Sequence, residues 1–290
     1  MKKLILYILC LLFISALNAQ QVITGRVLDN VSQTGFPYVN IGIEGKGVGT
    51  ISNKDGNFIL KLTEEISDND EVVFSHVGYK TQKHKVATLQ KLKTIMIEPE
   101  VNTLDEVVIN PNKRKIREKK LGRKSSGLIK MLFYGFYSNY EHDVVDDALS
   151  KETGMSFKIK DDCKINSLNF YIFTNQYKSL KFRVNFYEIE KGLPGKLLFN
   201  NNILFDIKDG HTGWFEVDLE EYELYLDKDI QDIAVTIQWV ESEKMNKHSK
   251  FFNITLAKSF TRTQFIRNKA MDTWKTQKTA LSFYLNTSCY

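Results

Sequence analysis

Histidine, cysteine and proline are all scarce in this chain, at five, three and four residues among 290. The histidines are His76, His84, His142, His211 and His248. No two fall within four residues of each other, and none is followed by a glutamate directly or three residues later. That excludes the HExxH and HxxE spacings of zinc peptidases, and each histidine reads as a surface side chain. Too few cysteines remain for a Cys-rich zinc site. No G-x-S-x-G elbow, S-x-x-K pair or phosphate-cradling P-loop occurs. The net charge of +5 is modest for this length and gives no reason to expect nucleic acid as a partner. After residue 14, no apolar run is long enough to cross a membrane as a helix.

What is present begins with a leader. Lys2 and Lys3 precede the apolar run Leu4 to Ile14, and Ser15, Ala16 and Ala19 supply small residues before a cut at Gln20 or Gln21. Residues 1–19 are read as a signal peptide. The run is shorter than the roughly 20 residues of a spanning helix. A lipoprotein signal would use Cys10, but Cys10 sits inside the apolar run behind Leu9. The expected location is the periplasm, the outer membrane or the cell surface. Export leaves Cys163 and Cys289, which form either a disulfide or two separate thiols. The first requires the first and last strands of the C-terminal half to be neighbours.

From Gln21 to Pro99 short strands alternate with turns. Val39, Ile41 and Ile43 interleave with Asn40, Gly42 and Glu44, the period-two pattern of a half-buried strand. The run Asn53-Lys54-Asp55-Gly56-Asn57 is a turn, after which Phe58, Leu60 and Leu62 resume one face. The glycines Gly42, Gly45, Gly47 and Gly49 lack the strand-to-helix context of a nucleotide loop and are read as turn and bulge positions. Asp68, Asn69, Asp70 and Glu71 are read as solvated loop charge rather than a calcium site.

An ordered set of motifs adds a resemblance. Gly25-Arg26-Val27 with Asp29, Gly35-Phe36-Pro37, Val39-Asn40-Ile41, Gly49-Thr50, Asp55-Gly56 with Phe58, and Val77-Gly78-Tyr79 follow one another. This order resembles the carboxypeptidase-regulatory-like domain, a transthyretin-like β-sandwich. It is also similar to the N-terminal extension of TonB-dependent outer-membrane receptors, and Leu104 to Ile109 looks like the segment that follows that extension. The resemblance implies a fold and an envelope location for residues 20–110. It implies no catalysis, because in the peptidases this module accompanies a separate zinc domain.

Residues 111–130 are strongly basic, with Lys113, Arg114, Lys115, Arg117, Lys119, Lys120, Arg123 and Lys124 around Glu118. They read as a solvated linker, with contact to an anionic membrane or lipopolysaccharide as the sharper alternative. Glu141 to Lys151 reads as an acidic loop or short helix. Over residues 131–290 about eight strands with intervening turns point to a second sandwich. Phe182, Val184 and Phe186 alternate with Arg183, Asn185 and Tyr187, while Ile233, Val235, Ile237 and Trp239 alternate with Ala234, Thr236 and Gln238. The sequence of Phe182-Arg183-Val184, Gly192-Leu193-Pro194-Gly195, Gly213-Trp214-Phe215 and Ile237-Gln238-Trp239 resembles jelly-roll modules of secreted bacterial proteins, similar to carbohydrate-binding domains. That likeness is architectural and carries no ligand over.

The expected fold is therefore all-β, with an N-terminal transthyretin-like sandwich and a C-terminal jelly-roll-like sandwich joined by a basic linker. The expected function is a non-catalytic envelope module that engages a glycan or a partner protein, with no cofactor and no metal. Trp214 and Trp274, with Tyr187, are the candidate sugar-stacking aromatics, because a flat ring covers the apolar face of a pyranose. Trp239 has a core register. The alternative is an accessory to TonB-dependent transport. A full receptor barrel needs far more chain than a tail of about 180 residues offers at ~10 residues per strand. A small eight-stranded barrel would fit, but counting back from Tyr290 gives Ser288, Asn286, Tyr284 and Ser282, a polar lipid face. A hydrolase is least favoured; the acid-rich stretch Glu216 to Asp229 supplies its candidate carboxylates.

Overall fold

A computed structural model describes residues 21–100, 116–126, 132–137 and 149–290. The leader over residues 1–19, the Leu104–Ile109 segment, Lys113 to Lys115 of the basic stretch, and residues 141–148 of the acidic stretch lie outside the described residues.

The N-terminal sandwich comprises β1 (Val22–Asp29), β2 (Asn40–Ile43), β3 (Val48–Ile51), β4 (Asn57–Lys61), β5 (Glu71–Ser75), β6 (Gln82–Lys85), α1 (Val86–Leu89) and β7 (Thr94–Ile97). Its sheets run β4-β1-β7 and β3-β2-β5-β6. Only β1 and β7 pair in parallel. Val27, Val39, Ile41, Phe58, Leu60, Val72 and Phe74 fill the space between the sheets, as the alternation requires. The β3–β4 turn closes on Asn53, whose side-chain oxygen accepts from the backbone N–H groups of Asp55 and Asn57 at 3.0 and 2.9 Å. Gly56 sits there at φ 82°, in the left-handed region open to a residue without Cβ.

The C-terminal half is antiparallel throughout its described pairings. It comprises β8 (Arg117–Gly122), β9 (Leu132–Tyr137), β10 (Glu152–Lys158), β11 (Cys163–Asn175), β12 (Tyr177–Glu190), β13 (Leu193–Leu197), β14 (Ile203–Lys208) and β15 (Gly213–Asp218). These are followed by β16 (Tyr225–Leu226), β17 (Asp232–Lys244), β18 (Phe251–Lys258), β19 (Gln264–Arg267), β20 (Lys275–Gln277), β21 (Thr279–Leu281) and β22 (Phe283–Cys289). A seven-stranded sheet runs β13-β12-β17-β10-β19-β20, with β14 also on β12. An eight-stranded sheet runs β21-β18-β11-β22-β8, with β15 and β16 on β11 and β9 on β18. Between them lies one apolar core that includes Phe136, Phe157, Phe170, Phe182, Phe186, Trp239, Phe252 and Phe283. The two sheets pack face to face across this core as a filled sandwich. Among the described residues, no helix is long and apolar enough to cross a membrane.

One reading of the sequence needs correction here. The stretch 111–130 is not linker throughout: Arg117–Gly122 forms β8 and pairs with β22 from Arg117 opposite Cys289 to Gly122 opposite Tyr284. Its apolar signal is weak because only Leu121 packs on the core. β8 is also an edge of its sheet, where lysines serve to block further strand pairing. The polar residues of β12 and β17 that alternate with the core positions are themselves buried. Arg183 is 1% exposed and Gln238 0%, because the N-terminal sandwich covers them.

That cover is built from both halves. Arg183 donates from Nη2 to the Tyr38 carbonyl at 2.8 Å, and Gln238 Nε2 donates to Asn40 Oδ1 at 2.7 Å. The Tyr38 hydroxyl donates to Glu241. Tyr38, Ile51 and Val240 form a small apolar cluster across the contact. Gly42 and Gly49, cross-strand partners in β2 and β3, leave room for the backbone at Ala270.

Candidate functional site

The outer face of the eight-stranded sheet carries a groove of about 740 Å³ lined by β8, β11, β15, β22 and the turn after β15. The alternation of these strands makes it. Leu168 and Phe170 of β11, and Phe283 and Leu285 of β22, point into the core. Ser167 and Asn169 on β11 and Tyr284, Asn286 and Ser288 on β22 therefore point outward, in register across the ladder: Ser167 opposite Asn286, Asn169 opposite Tyr284. Glu216 of β15 lies opposite Asn169 on the other side. Lys120 of β8 lies opposite Asn286.

These side chains hold one another. Asn169 Nδ2 and Asn286 Nδ2 both donate to Ser167 Oγ at 2.9 Å. The Tyr284 hydroxyl donates to Asn169 Oδ1 at 3.2 Å, and Asn286 Nδ2 also reaches Glu216 Oε1 at 3.3 Å. At the far end Asn166 Nδ2 donates to Ser288 Oγ at 2.8 Å, and Ser288 donates to Glu118 Oε1 at 2.9 Å. Ser167 and Asn169 are each only 4% exposed, so the floor is fixed while its rim is open. Aromatic rings stand along one side. Trp214 meets Tyr284 and Tyr171 edge-on, with centroids 5.1 and 5.4 Å apart. Lys120 Nζ lies 5.0 Å over the Tyr284 ring. Burial and the nearby Glu216 charge both raise the Tyr284 hydroxyl pKa, keeping it a neutral donor. Fixed amides, hydroxyls and carboxylates beside half-buried rings can grip a polyhydroxylated ligand by its polar edges and its apolar face.

Beneath this floor, Cys163 and Cys289 face each other across β11 and β22 and are bonded as a disulfide.

The other two candidate aromatics sit elsewhere. Tyr187 and Trp274 belong to the opposite sheet, so Trp214 does not share a surface with them. Tyr187 is corrected from a sugar-facing residue to a buried one. It is 7% exposed, and its hydroxyl donates to Glu152 Oε1 at 3.0 Å. Trp274 is half-buried, edge-on to Tyr187 and stacked on the Arg267 guanidinium at 4.5 Å. Glu152 is fully buried between Asn185, Tyr187, Thr236 and Arg267, whose Nη2 lies 2.5 Å from Oε2. Burial pushes its carboxyl pKa up. The Arg267 charge and the hydrogen bonds outweigh that and hold it below the ordinary value. Arg183 is pushed down to about 10 by burial. Of this group Arg183 reaches the N-terminal sandwich at the Tyr38 carbonyl, and Glu152 and Tyr187 are buried away from a ligand.

In the N-terminal half the motifs read from the sequence converge. Phe36, His76 and Tyr79 form an edge-on triad with centroids 4.5 to 5.4 Å apart. His76 is corrected from a surface side chain to a buried one, 7% exposed, with Nδ1 2.8 Å from the Val77 carbonyl. Residues 23–109 match the CarboxypepD_reg-like domain family. The carboxypeptidase-regulatory-like domain is thus the N-terminal sandwich, a non-catalytic β module in fold. A curated relative, the TonB-dependent receptor P3 of Formosa agariphila, is 28% identical over 109 residues, covering 37% of this chain. The match spans 10% of that receptor's length. The regulatory-like domain therefore accounts for both similarities, while the groove lies on the other sandwich, outside the family match.

Sequence reasoning named Trp214 but missed Ser167, Asn169, Tyr284 and Asn286. The available signal was the polar alternation counted back from Tyr290, set against a lipid face: of those residues Asn286 lines the groove and Tyr284 is tied to the same hydrogen-bonded row, whereas nothing local marks Ser167 and Asn169.

Proposed function

We propose that this chain is a non-catalytic binding protein of a bacterial cell envelope, which holds a glycan on the open face of its C-terminal sandwich. One observation carries the reading: Ser167 and Asn286 line an open groove and are held in one hydrogen-bonded row with Asn169 and Tyr284, beside which Trp214 stands. The wall carboxylates Glu118 and Glu216 accept from neutral hydroxyl and amide donors, which suits them as acceptors for sugar hydroxyls. The leader, the disulfide and the similarity to a TonB-dependent receptor support placement in the periplasm or at the outer membrane. Glycan-array screening followed by calorimetry tests it. Binding should weaken tenfold or more, about 1.4 kcal/mol, in Trp214→Ala and Asn286→Ala, and stay unchanged in Trp274→Ala. An array without hits, or hits indifferent to Trp214, would overturn the reading.

A second reading, an accessory to TonB-dependent import, rests on the same receptor similarity. It expects cells lacking the chain to take up one class of nutrient more slowly while other uptake continues. Contact of the basic stretch with anionic lipid is a further proposal. Lys119 pairs with Asp161 at 2.5 Å and Lys120 faces the groove, so the stretch's described strand favours an internal role over a lipid one.

A further inference from the structure

We infer that the occupant of the groove is an extended, uncharged glycan chain that continues past the polar floor along a line of rings on the same sheet face. The inference rests on the glycan reading above and adds the ligand's length and charge.

The length comes from the register. Tyr171 and Phe173 follow Asn169 at successive outward positions of β11, so the line runs with the strand. Tyr171 carries Trp214 against it, and Phe173 stacks on Phe133 of β9 with centroids 5.7 Å apart and planes 14° apart. Phe133 is 51% exposed. From Ser167 to Phe173 the strand covers six residues, about 20 Å, more than one sugar ring needs. Tyr171, Phe173 and Trp214 are half-buried and Phe133 is exposed, so apolar ring surface in line on the sheet is left in water, and flat apolar faces repeated along a polymer would cover it.

The charge comes from the groove walls. Glu118, Glu216, Asp218 and Glu220 line the groove with Lys120, while the Lys119 ammonium is already paired with Asp161, so carboxylates outnumber the ammonium groups there. A chain of uronate or sulfate sugars would meet net repulsion there, although the protein as a whole is basic at +5.

Calorimetry with neutral β-linked gluco-, manno- and xylo-oligosaccharides, each as disaccharide and hexasaccharide, and with oligogalacturonate of the same lengths, tests this. The hexasaccharide of at least one neutral series should bind at least tenfold tighter than its disaccharide. Phe133→Ala should remove about fivefold of the hexasaccharide affinity, leave the disaccharide unchanged, and be rescued by Phe133→Trp. Phe133 lies on the surface, so these variants fold. Equal affinity for short and long chains, with Phe133→Ala silent and Trp214→Ala disruptive, would overturn the extended chain and leave the glycan reading standing. Preference for oligogalacturonate would overturn the charge argument. No binding by any oligosaccharide would remove the glycan reading itself. Binding of a protein to the Phe133 face that sugars do not compete for would also overturn the inference.

Discussion

Gly49 lies so close to Ala270 that a β-carbon on it would stand 2.3 Å from the Ala270 carbonyl oxygen. Its ladder partner Gly42 meets the same oxygen at 2.5 Å. The atoms opposing both glycines are backbone, which cannot swing aside as a side-chain tip can. Gly49→Val is therefore expected to destabilise the protein by about 1–3 kcal/mol or more and to loosen the two sandwiches. Scanning calorimetry should show one transition in the parent and two in the variant. A single transition with an unchanged midpoint would contradict the docked arrangement.

Glu152→Gln leaves Arg267 buried without its counter-charge. The expected loss is about 3–5 kcal/mol by urea unfolding, with part of it restored when Arg267→Gln is added. Equal losses in the single and double variants would show that the two residues act independently.

His76 gives the protein an acid sensitivity of known sign. Burial is the main cause of its low pKa, and the Arg183 charge adds to it, holding the ring at about 3 against an ordinary value of 6.5. The unfolded chain takes up a proton below pH 6.5 and the folded chain does not. Its contribution is thus fully present above pH 6.5 and is lost as pH falls toward 3. Between pH 6.5 and pH 5 the loss is about 2 kcal/mol. His76→Phe, which keeps a ring between Phe36 and Tyr79, should flatten that slope in urea titrations at several pH values. An unchanged slope would mean that other groups carry it.

The Cys163–Cys289 bond closes a sequence separation of 126 residues. Reduction, or Cys163→Ser with Cys289→Ser, should lower stability by about 2–5 kcal/mol. Because the bond ties β11 to β22, it should also weaken ligand binding. A midpoint that dithiothreitol leaves unmoved would count against the bond.

The strand pattern was legible wherever one face is apolar and the other polar. Phe58, Leu60 and Leu62 are buried in turn, as are Ile233, Val235, Ile237 and Trp239. It failed in two ways, each with a physical cause. β8 exposes lysines on both faces because it is an edge, and β19 and β20 are too short to show a period. The polar residues Arg183, Asn185 and Gln238 alternate as a solvated face would, and no local signal says that another domain lies over them. At the site, Trp214 was legible from its turn-flanked position, but the floor depends on β11, β15 and β22 meeting in register, which single-strand patterns do not contain.

The placement of β8 has a practical outcome for dissecting the protein. A fragment started at residue 131, where the second strand pattern resumes, would drop Glu118 and Lys120 and with them one bank of the groove. It would also strip the lysine-fringed border from β22, leaving unpaired backbone amides beside Tyr284 and Asn286 that invite sheet-to-sheet self-association. Truncates meant to report on ligand recognition should keep Arg117–Gly122, and dimers formed by shorter ones would be products of the cut.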